Sequence, residues 1–382
     1  MIVLFWQFCG CIAGIMLSVV KKKNGLKLEC SEQGVSVRLD GLGYWCSYRN
    51  GDAFYRRCID GCVVRGHETP AVLSPDQADR LTSAVLSLLM STVESMSSKV
   101  GGESAIDQQA FELLLCASRL HLKDYCERSC LGGAAYPEPV PILPPDRYGD
   151  IVIQPATGCP NSQCSFCAFY QGKRFQVLSG ESLKQHVSQV KALLGSGWGG
   201  RDGVFLGSAN ALALSTRRLL SVLQLVCDEV GVIRRGVAAF GDADYAPVRQ
   251  AGDWVSLAEH GLRQVVFGLE TGDGVLREQL GKSRDLLPTR RMIEELKMAG
   301  IRIGVTILAG VGQNSHVEKT LLYVKHLPLE AKDIIYLSPL EGEGVHVSAL
   351  IANQYDELLF GLRSITDAQV VPYQMKRFFY YA

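Results

Sequence analysis

The sequence carries no net charge: 39 Lys and Arg stand against 39 Asp and Glu in 382 residues. That balance argues against a domain built to grip bulk nucleic acid, which needs a wide basic field. Charged residues are sparse at 20% and apolar ones plentiful at 47%, a folded rather than a disordered or collagen-like composition. There is no Walker A text, no Gly-x-Ser-x-Gly elbow and no kinase signature set. Histidine is scarce and scattered (His67, His121, His186, His260, His316, His326, His346), with no two at a metal-ligand spacing. No repeat of solenoid length is present. What the chain has in quantity is cysteine. Thirteen is an odd number, too dilute for a disulfide scaffold, and points to a reducing compartment and a metal site.

One long apolar run exists. Met1 to Val20 holds no charge and Lys21-Lys22-Lys23 follows. Twenty such residues just reach a bilayer span, and the lysines would keep the rest of the chain on the cytoplasmic side. A cleaved signal peptide fits poorly, because no basic segment precedes the run. A buried helix, or a start codon set too far upstream with Met16 as the true start, reads the segment equally well. Residues 1–25 are therefore set apart as a leader, membrane anchor or mis-called start.

Residues 26–136 read as a small α+β domain of unknown role. Alternation at Val35, Val37 and Leu39, with turn signals at Gly41, Gly43, Asn50-Gly51 and Asp60-Gly61, predicts an antiparallel sheet. Ser74-Pro75-Asp76-Gln77 is a capping box that opens a helix to about Met96, and a second helix is expected over about 104–126. Residues 137–149 are a Pro-rich linker. From Asp150 the pattern turns to strand, helix, strand. Strands are predicted at 151–155, 203–206, 236–240, 264–269, 301–308 and 333–337, with amphipathic helices such as Leu219, Val222, Leu223, Val226 between them. At roughly 30 residues per unit this is an α/β domain with a parallel sheet, open or curved, over 150–340. Residues 341–382 form a C-terminal helical and aromatic extension ending in Phe378-Phe379-Tyr380-Tyr381.

The informative stretch is Thr157-Gly158-Cys159-Pro160-Asn161-Ser162-Gln163-Cys164-Ser165-Phe166-Cys167. It follows the first parallel strand, at the strand end where α/β folds place their sites. Soft thiolates select zinc or iron–sulfur clusters. A structural zinc site and a four-iron cluster both want four ligands, and only three are local; His186, the nearest downstream histidine, falls inside a predicted helix. An incomplete ligand set leaves one metal position open.

This segment resembles the signature of the radical S-adenosylmethionine (SAM) superfamily, Cys-x3-Cys-x2-Cys with an aromatic residue before the third cysteine. Phe166 fills the aromatic position; the first gap is one residue longer, a Cys-x4-Cys-x2-Cys form. The resemblance implies a (β/α)6 partial TIM barrel. It implies that Cys159, Cys164 and Cys167 bind a [4Fe-4S] cluster whose fourth iron chelates SAM, and that one-electron cleavage of SAM gives a 5′-deoxyadenosyl radical that takes hydrogen from a substrate. It also implies an electron donor of ferredoxin or flavodoxin type. Gly207-Ser208-Ala209-Asn210 stands where the family has a Gly-Gly-Glu-Pro-like stretch, so Ser208 or Asn210 would offer the acceptor in place of the missing glutamate. Gly268-Leu269-Glu270-Thr271-Gly272 resembles a Gly-Leu-Glu-Ser-Gly text that puts Glu270 at the cofactor; an N-cap beside a helix dipole is the other reading. Gly310-Val311-Gly312 matches a region beside adenine or is an ordinary turn, and Phe169 and Tyr170 wall the adenine or fill core.

Two further cysteine pairs, Cys58-x3-Cys62 and Cys126-x3-Cys130, read as an auxiliary cluster or as ordinary buried thiols. The competing reading of the whole chain is a non-catalytic zinc or iron–sulfur protein for structure or electron transfer. Neither reading names a substrate.

Overall fold

The structure is a computed structural model and describes residues 18–22, 25–66, 70–97, 107–207, 209–231, 233–313, 315–340, 349–374 and 378–380. The chain divides into two compact units, residues 1–137 with 188–200 and 379–382, and residues 138–187 with 201–378.

The first unit is built on a seven-stranded antiparallel meander: β1 (Ser18–Lys22), β2 (Gly25–Cys30), β3 (Val35–Asp40), β4 (Trp45–Asn50), β5 (Ala53–Arg57), β6 (Val63–Arg65) and β7 (Ala71–Val72). Period-two patterning sets its register. Leu26 and Leu28 pair with Leu39 and Val37 on the buried face, while Lys27 and Glu29 lie between them. Three helices follow, α1 (Pro75–Ser97), α2 (Gln108–Ser118) and α3 (Leu122–Ala135). The capping box at Ser74 forms: its amide donates to Gln77 Oε1 (3.0 Å) and its hydroxyl accepts the Gln77 amide (3.4 Å). Val85, Leu89, Leu114 and Ala117 join the sheet's Trp45 and Val37 in one core.

Two expectations change here. The helix expected over about 104–126 is two helices, because the His121 amide turns to Asp124 Oδ2 (2.7 Å) and starts a new one. The leader also gives up its last residues to the sheet. Ser18–Val20 lie in β1, where β-branched Val19 and Val20 pair with Leu28 and Lys27. Residues 1–17, the rest of the leader, lie outside the described residues. Among the described residues no helix is long and apolar enough to cross a membrane.

The second unit holds β8 (Ile151–Ile153), β9 (Ala156–Thr157), β10 (Gln176–Val177), the first half of α4 (Gly180–Leu194, whose residues from 188 on belong to the first unit), β11 (Val204–Leu206), α5 (Thr216–Val230), β12 (Val237–Gly241), α6 (Ala251–Glu259), β13 (Leu262–Glu270), α7 (Gly274–Gln279), α8 (Leu287–Met298), β14 (Arg302–Ala309), α9 (Ser315–Lys325), β15 (Ile334–Pro339), α10 (Ala349–Ile365) and β16 (Gln369–Pro372). Its large sheet runs β8-β11-β12-β13-β14-β15-β16, every neighbouring pair parallel. Strands β8, β11 and β15 are buried at every residue, which explains their unbroken apolar runs. The order follows the chain without the reversal that marks a doubly wound sheet.

The sheet has seven strands, not the six expected. The seventh, β16, comes from the segment read as a helical and aromatic extension. It offers only Val370 and Val371 as strand formers and ends on Pro372, so it carries little signal; at an edge, that Pro is tolerated.

Candidate active site

The three thiols sit on residues 158–175, a loop whose ends are tied by a small antiparallel pair. Thr157 faces Gln176, and Ala156 faces Val177. Gly158 starts the loop at φ 69°, where a side chain would meet the Arg174 carbonyl oxygen at 2.3 Å. Its amide donates to Glu138 Oε2 (2.8 Å), a residue of the Pro-rich segment. Within the loop, Asn161 Nδ2 donates to Cys164 Sγ (3.2 Å) and to the Gly281 carbonyl (2.9 Å). The Ser165 amide donates to the Leu280 carbonyl (3.1 Å). The loop is thereby docked on the turn that follows α7.

Cys159, Cys164 and Cys167 open on one cavity of ≈ 1000 Å³, counted to its open mouth. Phe166, Phe169, Tyr170, Asn210 and Glu270 line the same cavity. Of the remaining expected site residues, Ser208 lies outside the described residues. Gly310 is not among the lining residues; its amide donates to Gln354 Oε1 (3.0 Å), and a side chain on it would strike Ile351. His186 Nε2 accepts the Gln154 amide (2.8 Å). Of the other cysteine pairs, Cys58 is buried and Cys62, Cys126 and Cys130 are exposed. Glu341 to Gly344, His67 and His346 lie outside the described residues.

Glu270 has the one positive φ (65°) of any non-glycine among the described residues. The β13–β14 ladder slips beside it, between Gly268 and Glu270. A left-handed, bulged residue at a strand end is a costly conformation, of about 1–3 kcal/mol, and such strain gathers at sites. It is held from behind: buried Arg277 donates through Nη1 to the Leu269 carbonyl (2.5 Å) and through Nε to the Ser283 carbonyl (2.9 Å). A side chain at Gly268 would sit 2.5 Å from Glu270 Oε1 and 2.9 Å from Lys282 Nζ, so it would displace that pair.

Lys282 was not singled out by the sequence, and it organises the charge of the cavity. Its ammonium lies 3.1 Å from Asp242 Oδ2, 3.6 Å from Glu270 Oε1 and 2.7 Å from the Gly268 carbonyl. Burial alone would lower the Lys282 pKa, but Asp242 and Glu270 outweigh it and hold the group above its ordinary value. Burial raises Glu270 above the usual carboxylate range, with Lys282 pulling the other way. Asp242 directly follows β12 and Lys282 follows a short helix; only their positions at the sheet's carboxyl edge could have flagged them. Asn210 Nδ2 donates to the Asp242 carbonyl (3.3 Å), while Asn210 Oδ1 is buried with no hydrogen-bond partner among the described residues.

Burial pushes the Cys159 thiol up to about 12 and the Cys164 thiol up to about 11, the latter against the pull of Lys282. In the metal-free chain these two thiols are therefore protonated at neutral pH. Among the described residues no three His, Cys, Asp or Glu side chains converge on a single ion position. Thiolates of a cluster each meet a different iron and stand further apart than ligands of one ion.

No protein-family model matches the sequence, and no curated protein is similar to it. Among solved structures, the cobalamin-dependent S-adenosylmethionine radical enzyme OxsB is 14% identical, over 58% of this chain and 33% of its own, with a TM-score of 0.40. Coproporphyrinogen III oxidase (HemN) from Escherichia coli, a radical SAM enzyme, is 12% identical, over 62% of this chain and 55% of its own, with a TM-score of 0.43. Methylornithine synthase (PylB) is 18% identical, over 74% of this chain and 85% of its own, with a TM-score of 0.40. The chain thus spans about a third of the length of OxsB. Likeness at this level does not define a family.

Proposed function

We propose that the chain is a radical SAM enzyme built on a curved partial barrel, with the small α+β unit alongside it in sequence. The observation that carries the reading is the three-thiol loop at the carboxyl end of the first parallel strand, opening on a cavity walled by the strands that follow. Curvature is supported by the cavity itself. Cys159 follows β8 at one edge of the sheet and Tyr373 follows β16 at the other, yet both line it. In a flat sheet those edges would lie roughly 29 Å apart, six spacings of about 4.8 Å.

Cys159, Cys164 and Cys167 would hold three irons of a [4Fe-4S] cluster and leave the fourth for SAM. Bound there, the pair supplies one-electron cleavage of the sulfonium to a 5′-deoxyadenosyl radical for hydrogen abstraction, with the electron from a ferredoxin or flavodoxin type of donor. The chain's own residues do the rest. Lys282, Asp242 and Glu270 present one cation and two carboxylates on a dry wall, complementary to an amino acid zwitterion. Asn210 Oδ1 is an acceptor in want of a donor, with Ser208 two residues away in sequence. Phe166, Phe169 and Tyr170 offer ring faces to adenine and keep water out. The cysteines must lose their protons on loading, so assembly releases protons and is favoured by rising pH.

The test is anaerobic reconstitution of the full chain. We expect a brown protein with iron and sulfide near four each, and 5′-deoxyadenosine on adding dithionite and SAM. Cys→Ala at 159, 164 or 167 should abolish the product. A colourless protein with stoichiometric zinc would instead favour the structural metal-binding reading.

A further inference from the structure

Beyond the residues named above, the strands supply further lining residues to the same cavity, one of which, Thr306, donates to Glu270 Oε2 (3.4 Å). Val266 of β13, Thr306 and Leu308 of β14, Ser338 of β15, Phe240 of β12 and Tyr373 line it. None is charged. Val266 and Tyr373 pack together in one buried cluster, with Phe240 and Ile142 against it. The charged lining residues among those described are Asp242, Glu270 and Lys282, and they are already paired with one another.

Tyr373 is the unusual member. It directly follows β16, is only 4% exposed, and its ring lies 5.7 Å from that of Tyr336. Tyr336 spends its hydroxyl on Asp146 Oδ1 (2.6 Å) and on accepting from Gln264 Nε2 (2.9 Å). The Tyr373 hydroxyl has no hydrogen-bond partner among the described residues. Lining the cavity, that hydroxyl is open to donate to an acceptor bound there. The charges within the cavity are already matched to one another, so a further charge buried beside Val266 and Phe240 would be disfavoured.

We infer that the substrate, or the part of it that enters the cavity, is an uncharged, mainly apolar or aromatic group bearing one hydrogen-bond acceptor, which the Tyr373 hydroxyl receives against the wall of Val266, Phe240 and Leu308. This rests on the cavity being the substrate site of the reading above. Tyr373 then belongs to substrate binding, and the seventh strand is what delivers it.

The experiment titrates the full chain with 2-acetylnaphthalene, 2-naphthoate and 2-ethylnaphthalene, near-isosteric probes that are neutral with an acceptor, anionic, and neutral without one. Binding is followed by probe fluorescence, before and after iron–sulfide reconstitution. We expect acetylnaphthalene to bind at least about ten-fold tighter than naphthoate. Tyr373→Phe should cut its advantage over ethylnaphthalene by roughly three- to ten-fold, one neutral hydrogen bond, and leave ethylnaphthalene and iron content unchanged. Naphthoate binding as tightly as the ketone, or a Tyr373→Phe variant with wild-type selectivity, overturns the inference. A chain that selects the ketone but takes up no iron keeps the binding site and removes the radical chemistry; one that loads iron without selectivity does the reverse.

Discussion

A buried carboxyl group in the left-handed region beside a lysine is pulled two ways, and the balance is measurable. Burial raises the Glu270 pKa and Lys282 only partly offsets it. The folded chain therefore holds this proton more tightly than the unfolded chain does. The stability it contributes is full below the ordinary value of 4.5 and is lost as pH rises through the raised folded value. Glu270→Gln, which keeps the shape and stays neutral, should match the wild type in acid and gain on it as pH climbs through that window. Urea midpoints at a series of pH values check this; a variant that loses ground with rising pH would show that the Lys282 pair outweighs burial. At this scale the sequence was legible where side chains announce themselves. The three thiols could be read from their spacing and their place after a strand, and Phe166 and Glu270 from the resemblance to the superfamily's motifs; the structure brings all five to one cavity. Lys282 and Asp242 could not, because their role depends on meeting across the turn after α7, and nothing local to either residue marks that.

The loop that carries the thiols is a tied element rather than a free connection. β9 and β10 close its base, Glu138 holds its first amide, and Asn161 and Ser165 dock it on residues 280–281. Two glycines in it separate backbone strain from collision. Gly158 and Gly172 both have positive φ, 69° and 72°, but a side chain at 158 would strike the Arg174 carbonyl whereas one at 172 meets nothing within 4 Å. Both Ala variants should cost about 1 kcal/mol from the left-handed backbone. Gly158→Ala should cost more, and it alone should lower iron uptake on reconstitution, since it displaces the residue next to Cys159. Equal iron content in the two variants would mean that the loop re-forms around the metal regardless of its entry. The βα units themselves were legible from helical faces and unbroken apolar runs. The break between α2 and α3 was not, because a histidine is a weak cap signal and Asp124 had to supply the hydrogen bond.

Across the molecule, protection should follow the sheet. β13 and β14 lie mid-sheet, with strands paired on both sides and most residues buried, while β16 is a four-residue edge exposed at both ends. Amide hydrogen exchange of the metal-free chain should be slower in β13 and β14 than in β16, on the order of ten-fold or more. Uniform protection along the sheet would point to a single all-or-none opening of this unit. The parallel architecture was readable from strand–helix alternation, but the seventh strand was hidden in four residues with a terminal proline, and with it went Tyr373. That arrangement has a consequence for diversification. The thiol-bearing segment and the tyrosine sit at opposite ends of the strand ladder, 206 positions apart along the chain by subtraction of 167 from 373. If the proposed reading holds, a chain so laid out can exchange its last strand and acquire a new substrate while the thiol-bearing loop stays as it is.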